Sequence, residues 1–172
     1  MSIKVGIIVV DSQAQFAHEN LSPLSESLKL MGCSEQNILV RHSPSIYNVP
    51  LTVQFFAEYT DVDAVIVLGC VIQGDTRHFD FVCQSVTQGI TQLMISWNMP
   101  IAFGVLTTNT LEQALDRAGG KLGNKGEEAA ATAIQMVALQ NEMDRAAEDN
   151  GVKREAPSEP AKPSGNTDKK VN

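Results

Sequence analysis

Cysteine is scarce in this sequence, and long apolar runs are absent from it. The 172 residues include only Cys33, Cys70 and Cys83, with no CxxC pair. An odd count without paired spacing disfavours a disulfide framework or a zinc site and favours the reduced thiols of a cytoplasmic protein. No apolar run approaches the roughly 20 residues that a membrane span requires. The short apolar run at residues 3–10 lacks the basic flank and cleavage site of a signal peptide, so we interpret it as a strand.

The sequence also lacks the motifs of several cofactor-binding and catalytic classes. It has neither a Walker A segment nor G-x-G-x-x-G, so nucleotide cofactors are disfavoured, and we expect neither a cofactor nor a metal. Gly69 and Cys70 stand at the end of the third apolar run, where a phosphoryl-acceptor receiver domain would need an aspartate. No G-x-S-x-G nucleophile elbow occurs. A net charge of −7 argues against partners such as nucleic acid or an anionic membrane.

Four runs rich in β-branched residues are present, and they recur at the length of a βαβ unit. Most are almost wholly apolar, as expected of strands that are buried on both faces. The runs cover residues 3–10, 37–41, 64–70 and 101–107. Helical patterns lie between and after them, at residues 21–31, 50–59, 79–93, 110–117 and 125–147. We predict an α/β fold, a three-layer α/β/α sandwich whose flavodoxin-like parallel sheet has four strands in the order 2-1-3-4.

The composition changes near Glu148. The segment 148–172 contains three prolines and many charges but almost no apolar residues. Such a segment cannot bury enough apolar surface to fold. We predict one domain over residues 1–147 and a disordered tail over residues 148–172.

A ligand site is expected beyond the carboxyl ends of the strands, where the strand order reverses. For the order 2-1-3-4 this point lies between the first and third strands, so the relevant loops are residues 11–15 and 71–77. In the second loop, Gly74 lets backbone N–H groups approach a ligand, and the following helix N-terminus favours an anion. Thr76 can donate a hydroxyl hydrogen bond, cap the helix, or do both.

His78 begins that helix, and its place at the switch point favours a catalytic role over the structural role usual for a lone histidine. His18 and His42 have no such context, so we interpret them as structural or solvated. Two basic residues are weaker candidates when taken alone. Arg117 near a helix end can simply complement the helix dipole, and Lys125 lies between two glycines.

Two stretches of the sequence are recognisable. LGCVIQGDTRHFDFVCQSVTQGI resembles the lumazine synthase family around its catalytic histidine, and PIAFGVLTTNTLEQALDRAG followed by KLGNKGEEAA resembles the family's fourth strand and last two helices. The resemblance covers roughly residues 3–140. G-x-T-x-H-F-D, F-G-V-L-T-T, D-R-A-G and G-N-K-G occur in the family's order and at its spacing, which makes the match specific.

The resemblance implies a reaction and a catalytic group. The family condenses 5-amino-6-(D-ribitylamino)uracil with 3,4-dihydroxy-2-butanone 4-phosphate, giving 6,7-dimethyl-8-ribityllumazine and phosphate in riboflavin biosynthesis. His78 matches the general acid/base that moves protons during imine formation, phosphate elimination and ring closure. This chemistry requires orientation, proton transfer and anion stabilisation, but neither hydride nor metal.

The resemblance also implies substrate contacts on both halves of the site. Asp75 and Thr76 match positions that hold the phosphate, and Arg117 matches an arginine that reaches it from the neighbouring subunit. The remaining positions contact the pyrimidine ring or the ribityl chain. They are Ser12, Ile46, Tyr47, Asn48, Cys70, Val71, Ile72, Phe103 and Lys125.

Two of these positions depart from the family pattern. Ser12 stands where an aromatic residue usually stacks on the pyrimidine, and Asn48 stands where a glutamate usually holds the ribityl hydroxyls. Losing the aromatic ring costs on the order of 1–3 kcal/mol of binding, while asparagine can still bond hydroxyls. Phe16 is close enough in sequence to replace the missing ring.

The departures leave an alternative open, an inactive or weakened homologue that serves as a shell or ligand-binding protein. An archaeal-type riboflavin synthase shares the fold but lacks the G-N-K-G segment, and a flavodoxin-like ligand binder is the least specific reading. The resemblance further implies a homopentamer with sites at subunit interfaces, and some members close twelve pentamers into an icosahedral capsid of sixty subunits. The short turn between the last helices favours a shell and the missing N-terminal extension disfavours it, so this choice stays open.

Overall fold

The computed structural model describes residues 3–12 and 14–152, and its centre is a parallel sheet of four strands. The strands are β1 (Val5–Val10), β2 (Ile38–Ser43), β3 (Ala64–Ile72) and β4 (Ile101–Thr108). They lie in the order β2-β1-β3-β4 and every neighbouring pair is parallel. The predicted fold class and strand order are therefore confirmed.

Within the described residues, five α-helices connect or follow these strands; four lie near the predicted positions, whereas the first begins at Ala14, earlier than the predicted residue 21. They are α1 (Ala14–Leu30), α2 (Val49–Tyr59), α3 (His78–Ser96), α4 (Leu111–Arg117) and α5 (Lys125–Asp149). Pro50 lies in the first turn of α2, where its missing N–H costs no helical hydrogen bond. The Thr110 hydroxyl caps α4 by accepting the Gln113 N–H at 3.2 Å.

The helices cover both faces of the sheet and form two large apolar cores, one on each face. On one face, α1 and α5 contribute Leu24, Leu28 and Ala130 to a core with alternate residues of the central strands. On the other face, Val53 of α2 and Val86 of α3 pack against the remaining strand residues. Because both faces are covered, β1 is buried along its whole length.

The glycine-rich segment between α4 and α5, predicted as a turn, contains a small hairpin. Its strands are β5 (Ala118–Gly120) and β6 (Gly123–Asn124), which pair antiparallel. Gly123 has φ of 83°, a conformation that a side chain would strain. The hairpin returns the chain so that the end of α4 lies beside the start of α5.

The predicted tail begins near the end of α5. This helix ends slightly beyond its predicted end, and the tail from residue 153 to residue 172 lies outside the described residues. Over the part of the chain that is described, no helix is long and apolar enough to cross a bilayer. Cys33, Cys70 and Cys83 form no disulfide.

Candidate active site

His78 lies at the carboxyl edge of the sheet, as predicted. It is the first residue of α3 and is exposed, and its backbone N–H donates to the Thr76 hydroxyl at 3.4 Å. None of the described residues forms a hydrogen bond or ion pair with its imidazole. The preceding loop is fastened to β4, because the Gln73 N–H donates to the Thr108 carbonyl at 2.8 Å. The imidazole is therefore accessible to a ligand, next to a loop that is hydrogen-bonded to β4.

The loop after β2 brings a second set of predicted residues to the same edge. Ile46 is buried, whereas Tyr47 and Asn48 are exposed. The Ser45 hydroxyl donates to Asn48 Oδ1 at 2.7 Å, and the Thr52 hydroxyl donates to the Asn48 carbonyl at 3.1 Å. Since the side-chain oxygen of Asn48 already accepts a bond, its amide group faces a ligand mainly as a donor.

Ser12 is exposed just after β1, beside a pair that sequence reasoning did not find. The Asp11 carboxylate lies 2.8 Å from His42 Nδ1, and the His42 ring is 6.2 Å from the His18 ring. The Asp11 N–H also donates to the Ser43 carbonyl at 2.9 Å. Because His18 belongs to α1, this pair lies on the α1 side of the sheet and fastens the ends of β1 and β2 together.

The end of β3 supplies Cys70, Val71 and Ile72. Burial raises the pKa of the Cys70 thiol to about 11, so this thiol is neutral and serves packing. The residue as a whole is 2% exposed, so it offers a ligand almost no surface in the single chain. Val71 and Ile72 are half-buried at the edge.

The suggestion that Phe16 replaces the missing aromatic ring is wrong. The Phe16 side chain is 2% exposed and packs with Cys70, Leu106 and Ala114. Its place on the first turn of α1 directs the ring into this small core. The Phe16 ring therefore does not replace the aromatic ring that Ser12 lacks.

Arg117 and Lys125 form a second group, held together by Glu128. Arg117 Nη1 and Nη2 donate to the two Glu128 carboxylate oxygens at 2.7 and 2.8 Å, and Lys125 Nζ donates to Glu128 Oε2 at 3.2 Å. Hydrogen bonding to Arg117 lowers the pKa of Glu128 to about 2, and Glu128 raises the pKa of Arg117. The carboxylate is thus ionised at neutral pH. In the sequence, the only sign that Glu128 joins this group was its position three residues after Lys125 on a predicted helix.

Phe103 belongs to neither group in the single chain. It lies within the edge strand β4, half-buried, and borders a shallow depression with Cys83 and Thr107. Among the described residues, no hydrogen bond or ion pair joins Arg117 or Lys125 to the loop before His78. Apart from Phe103, the predicted site residues therefore divide into a group around His78 and a group around Arg117.

Comparison with known proteins identifies relatives over most of the chain. The family model for 6,7-dimethyl-8-ribityllumazine synthase matches residues 2–141. The Bacteroides fragilis protein of that name is 47% identical over 135 residues, 78% of this chain and 94% of its own length. Those of Porphyromonas gingivalis and Cytophaga hutchinsonii are 46% and 47% identical, over 80% and 77% of this chain and 86% and 84% of their own lengths. The range matched by the family model includes all four strands of the parallel sheet.

Proposed function

This chain belongs to the 6,7-dimethyl-8-ribityllumazine synthase family, transferases of riboflavin biosynthesis, and from that premise we propose that two neighbouring protomers together form its active site. The substrates are small molecules, 5-amino-6-(D-ribitylamino)uracil and 3,4-dihydroxy-2-butanone 4-phosphate. One protomer supplies the group around His78. Its neighbour supplies Phe103, Arg117 and Lys125.

The exposed and unpaired His78 imidazole is the observation that carries the chemistry. The pyrimidine amine attacks the butanone carbonyl, and His78 protonates the departing water as the imine forms. Removal of the C3 proton then expels phosphate from C4, while the Thr76 hydroxyl and the start of α3 stabilise its charge, and the resulting enol becomes a ketone at C3. Attack by the ribityl-bearing nitrogen closes the ring and releases a second water. The reaction thus yields one lumazine, one phosphate and two waters.

The division of the site residues supports a shared site. Arg117 and Lys125 are bonded to Glu128 on their own chain and have no described hydrogen bond or ion pair with the His78 loop. This lack of bonding within one chain supports a site in which Arg117 comes from another copy.

The surface also favours self-association. Large apolar side chains are exposed, Ile95 by 73%, Phe81 by 62% and Met143 by 61%, and another copy can cover them. We propose that the assembly is a homopentamer and that pentamers can associate further into a capsid. We also propose that the protein acts in the cytoplasm.

The test is to mix the purified protein with both substrates and follow the lumazine chromophore. We expect product from the wild-type protein, and its absence at high protein concentration would refute the proposal. His78→Ala should lower kcat by about 10²–10⁴-fold, the usual contribution of a positioned acid/base group. A matched variant, His18→Ala, removes an exposed histidine outside the site and should leave kcat unchanged. Equal activity of the two variants would remove His78 from the mechanism.

A further inference from the structure

We infer that Glu128 is a positioning residue of the active site: it holds the Arg117 guanidinium so that one edge of that group is left for the substrate phosphate. The inference rests on the proposed function, because the phosphate is that of the butanone substrate. Glu128 itself touches no reacting atom. It acts through Arg117, and more weakly through Lys125.

The hydrogen bonds of Arg117 show which edge is left. An arginine has five N–H donors in a rigid planar fork. Nη1 donates to Glu128 Oε1 and to the Leu122 carbonyl, each at 2.7 Å, and Nη2 donates to Glu128 Oε2 at 2.8 Å. The Nε–H and the second Nη2 hydrogen have no acceptor among the described residues. These two hydrogens lie along one edge of the plane and match two phosphate oxygens.

The supports of Arg117 are themselves fixed by the fold. Leu122 belongs to the hairpin turn, and its N–H donates to the Asp116 carbonyl at 2.9 Å. Glu128 lies in the first turn of α5, whose start is capped by the Asn124 side chain at 2.8 Å from the Gly126 nitrogen. The arginine side chain is only 27% exposed. A long and flexible side chain is thereby held in one orientation before the substrate arrives.

The charge of the group remains suited to an anion. Arg117, Lys125 and Glu128 together carry one net positive charge, because two cations share one carboxylate. Glu128 has two opposing effects on a bound phosphate, since it orients the arginine but also repels negative charge. If orientation dominates, removing the carboxylate weakens phosphate binding, whereas if repulsion dominates, removing it strengthens binding. Whether phosphate binding weakens or strengthens in such a variant therefore shows which of the two effects dominates.

The experiment compares Glu128→Gln with Glu127→Gln. Both remove one negative charge from the same helix turn, but the exposed Glu127 side chain makes no described ion pair. For Glu128→Gln we expect kcat/KM for the butanone phosphate to fall about tenfold, as for loss of a charge-assisted hydrogen bond. The KM for the ribitylaminouracil should change less than about threefold, and the inhibition constant of inorganic phosphate should rise. Glu127→Gln should match the wild type in all three.

A second variant, Glu128→Asp, keeps the charge but is too short to bridge both guanidinium nitrogens. It should lose as much kcat/KM as Glu128→Gln, and wild-type behaviour would overturn the inference. An unchanged or lower phosphate inhibition constant in Glu128→Gln would also overturn it. So would an equal rise of both KM values with a loss of assembly, because that marks a merely structural role. A wild-type protein that makes no lumazine would instead refute the proposed function itself.

Discussion

Asn48 places a neutral amide where the family resemblance expects a carboxylate. Asn48→Glu should lower the KM for the ribitylaminouracil about fivefold, because a charged acceptor bonds ribityl hydroxyls more strongly than a neutral group does. Steady-state kinetics with each substrate varied in turn would measure this. Asn48→Gln lengthens the side chain equally without the charge and serves as the control. If the KM for the butanone phosphate fell as well, the change would not be specific to the ribityl chain.

Ser12 and Asn48 are both on the pyrimidine half of the proposed site. The phosphate half keeps Thr76, His78 and Arg117, so the departures concentrate on recognition of one substrate. The Ser45 hydroxyl bond to Asn48 shows that the neutral side chain has its own local partner. Ser12 has no comparable partner among the described residues.

Helix α5 is docked on helix α1 at one close contact. The Gly126 N–H donates to the Asn20 side chain at 3.0 Å, and a Cβ at Gly126 would lie 2.4 Å from the Asn20 carbonyl oxygen. The Asn20 backbone cannot move aside for a new methyl group as easily as the end of a flexible side chain could. Gly126→Ala should therefore destabilise the fold by about 1–3 kcal/mol. Thermal unfolding at one fixed protein concentration would measure this.

Gly74→Ala is the control for Gly126→Ala, because a Cβ at Gly74 would meet nothing within 4 Å and its φ is not positive. We expect it to unfold near the wild-type temperature. Comparable losses in the two variants would show that the contact with Asn20 does not limit stability.

The elements that the sequence predicted best are those with strong periodicity. The buried runs at β1 and β3, and the start of α5 at Lys125, were predicted because apolar spacing and capping residues act locally. The hairpin of β5 and β6 was not predicted, because strands of two or three residues have no periodicity. Glu128 was missed for another reason, because its bond to Arg117 spans eleven residues across that hairpin and local spacing does not indicate it. Phe16 was misjudged because sequence spacing does not show which way a ring points.

At the scale of the whole molecule, β4 is an open edge of the sheet, and the described residues show no hydrogen bond or ion pair between the Arg117 group and the His78 loop of the same chain. A ring of identical protomers joined head to tail would bring each His78 loop against a neighbour's Arg117. Such a ring has one shared site at every interface. Activity then belongs to the interface rather than to the protomer, which makes subunit mixing a direct test.

Two inactive variants should restore activity to each other if the site is shared. His78→Ala lacks the acid/base group and Arg117→Ala lacks the phosphate ligand, so each assembly alone should make little lumazine. In co-assembled rings, an interface that takes His78 from one variant and Arg117 from the other is complete. Random mixing in equal amounts makes about a quarter of the interfaces complete, so we expect about a quarter of wild-type turnover. Mixing the preformed assemblies without subunit exchange is the control and should give no recovery. If the co-assembled rings also showed no recovery of activity, the shared site would be refuted. His78 and Arg117 would then either serve one site from the same chain or not share a site.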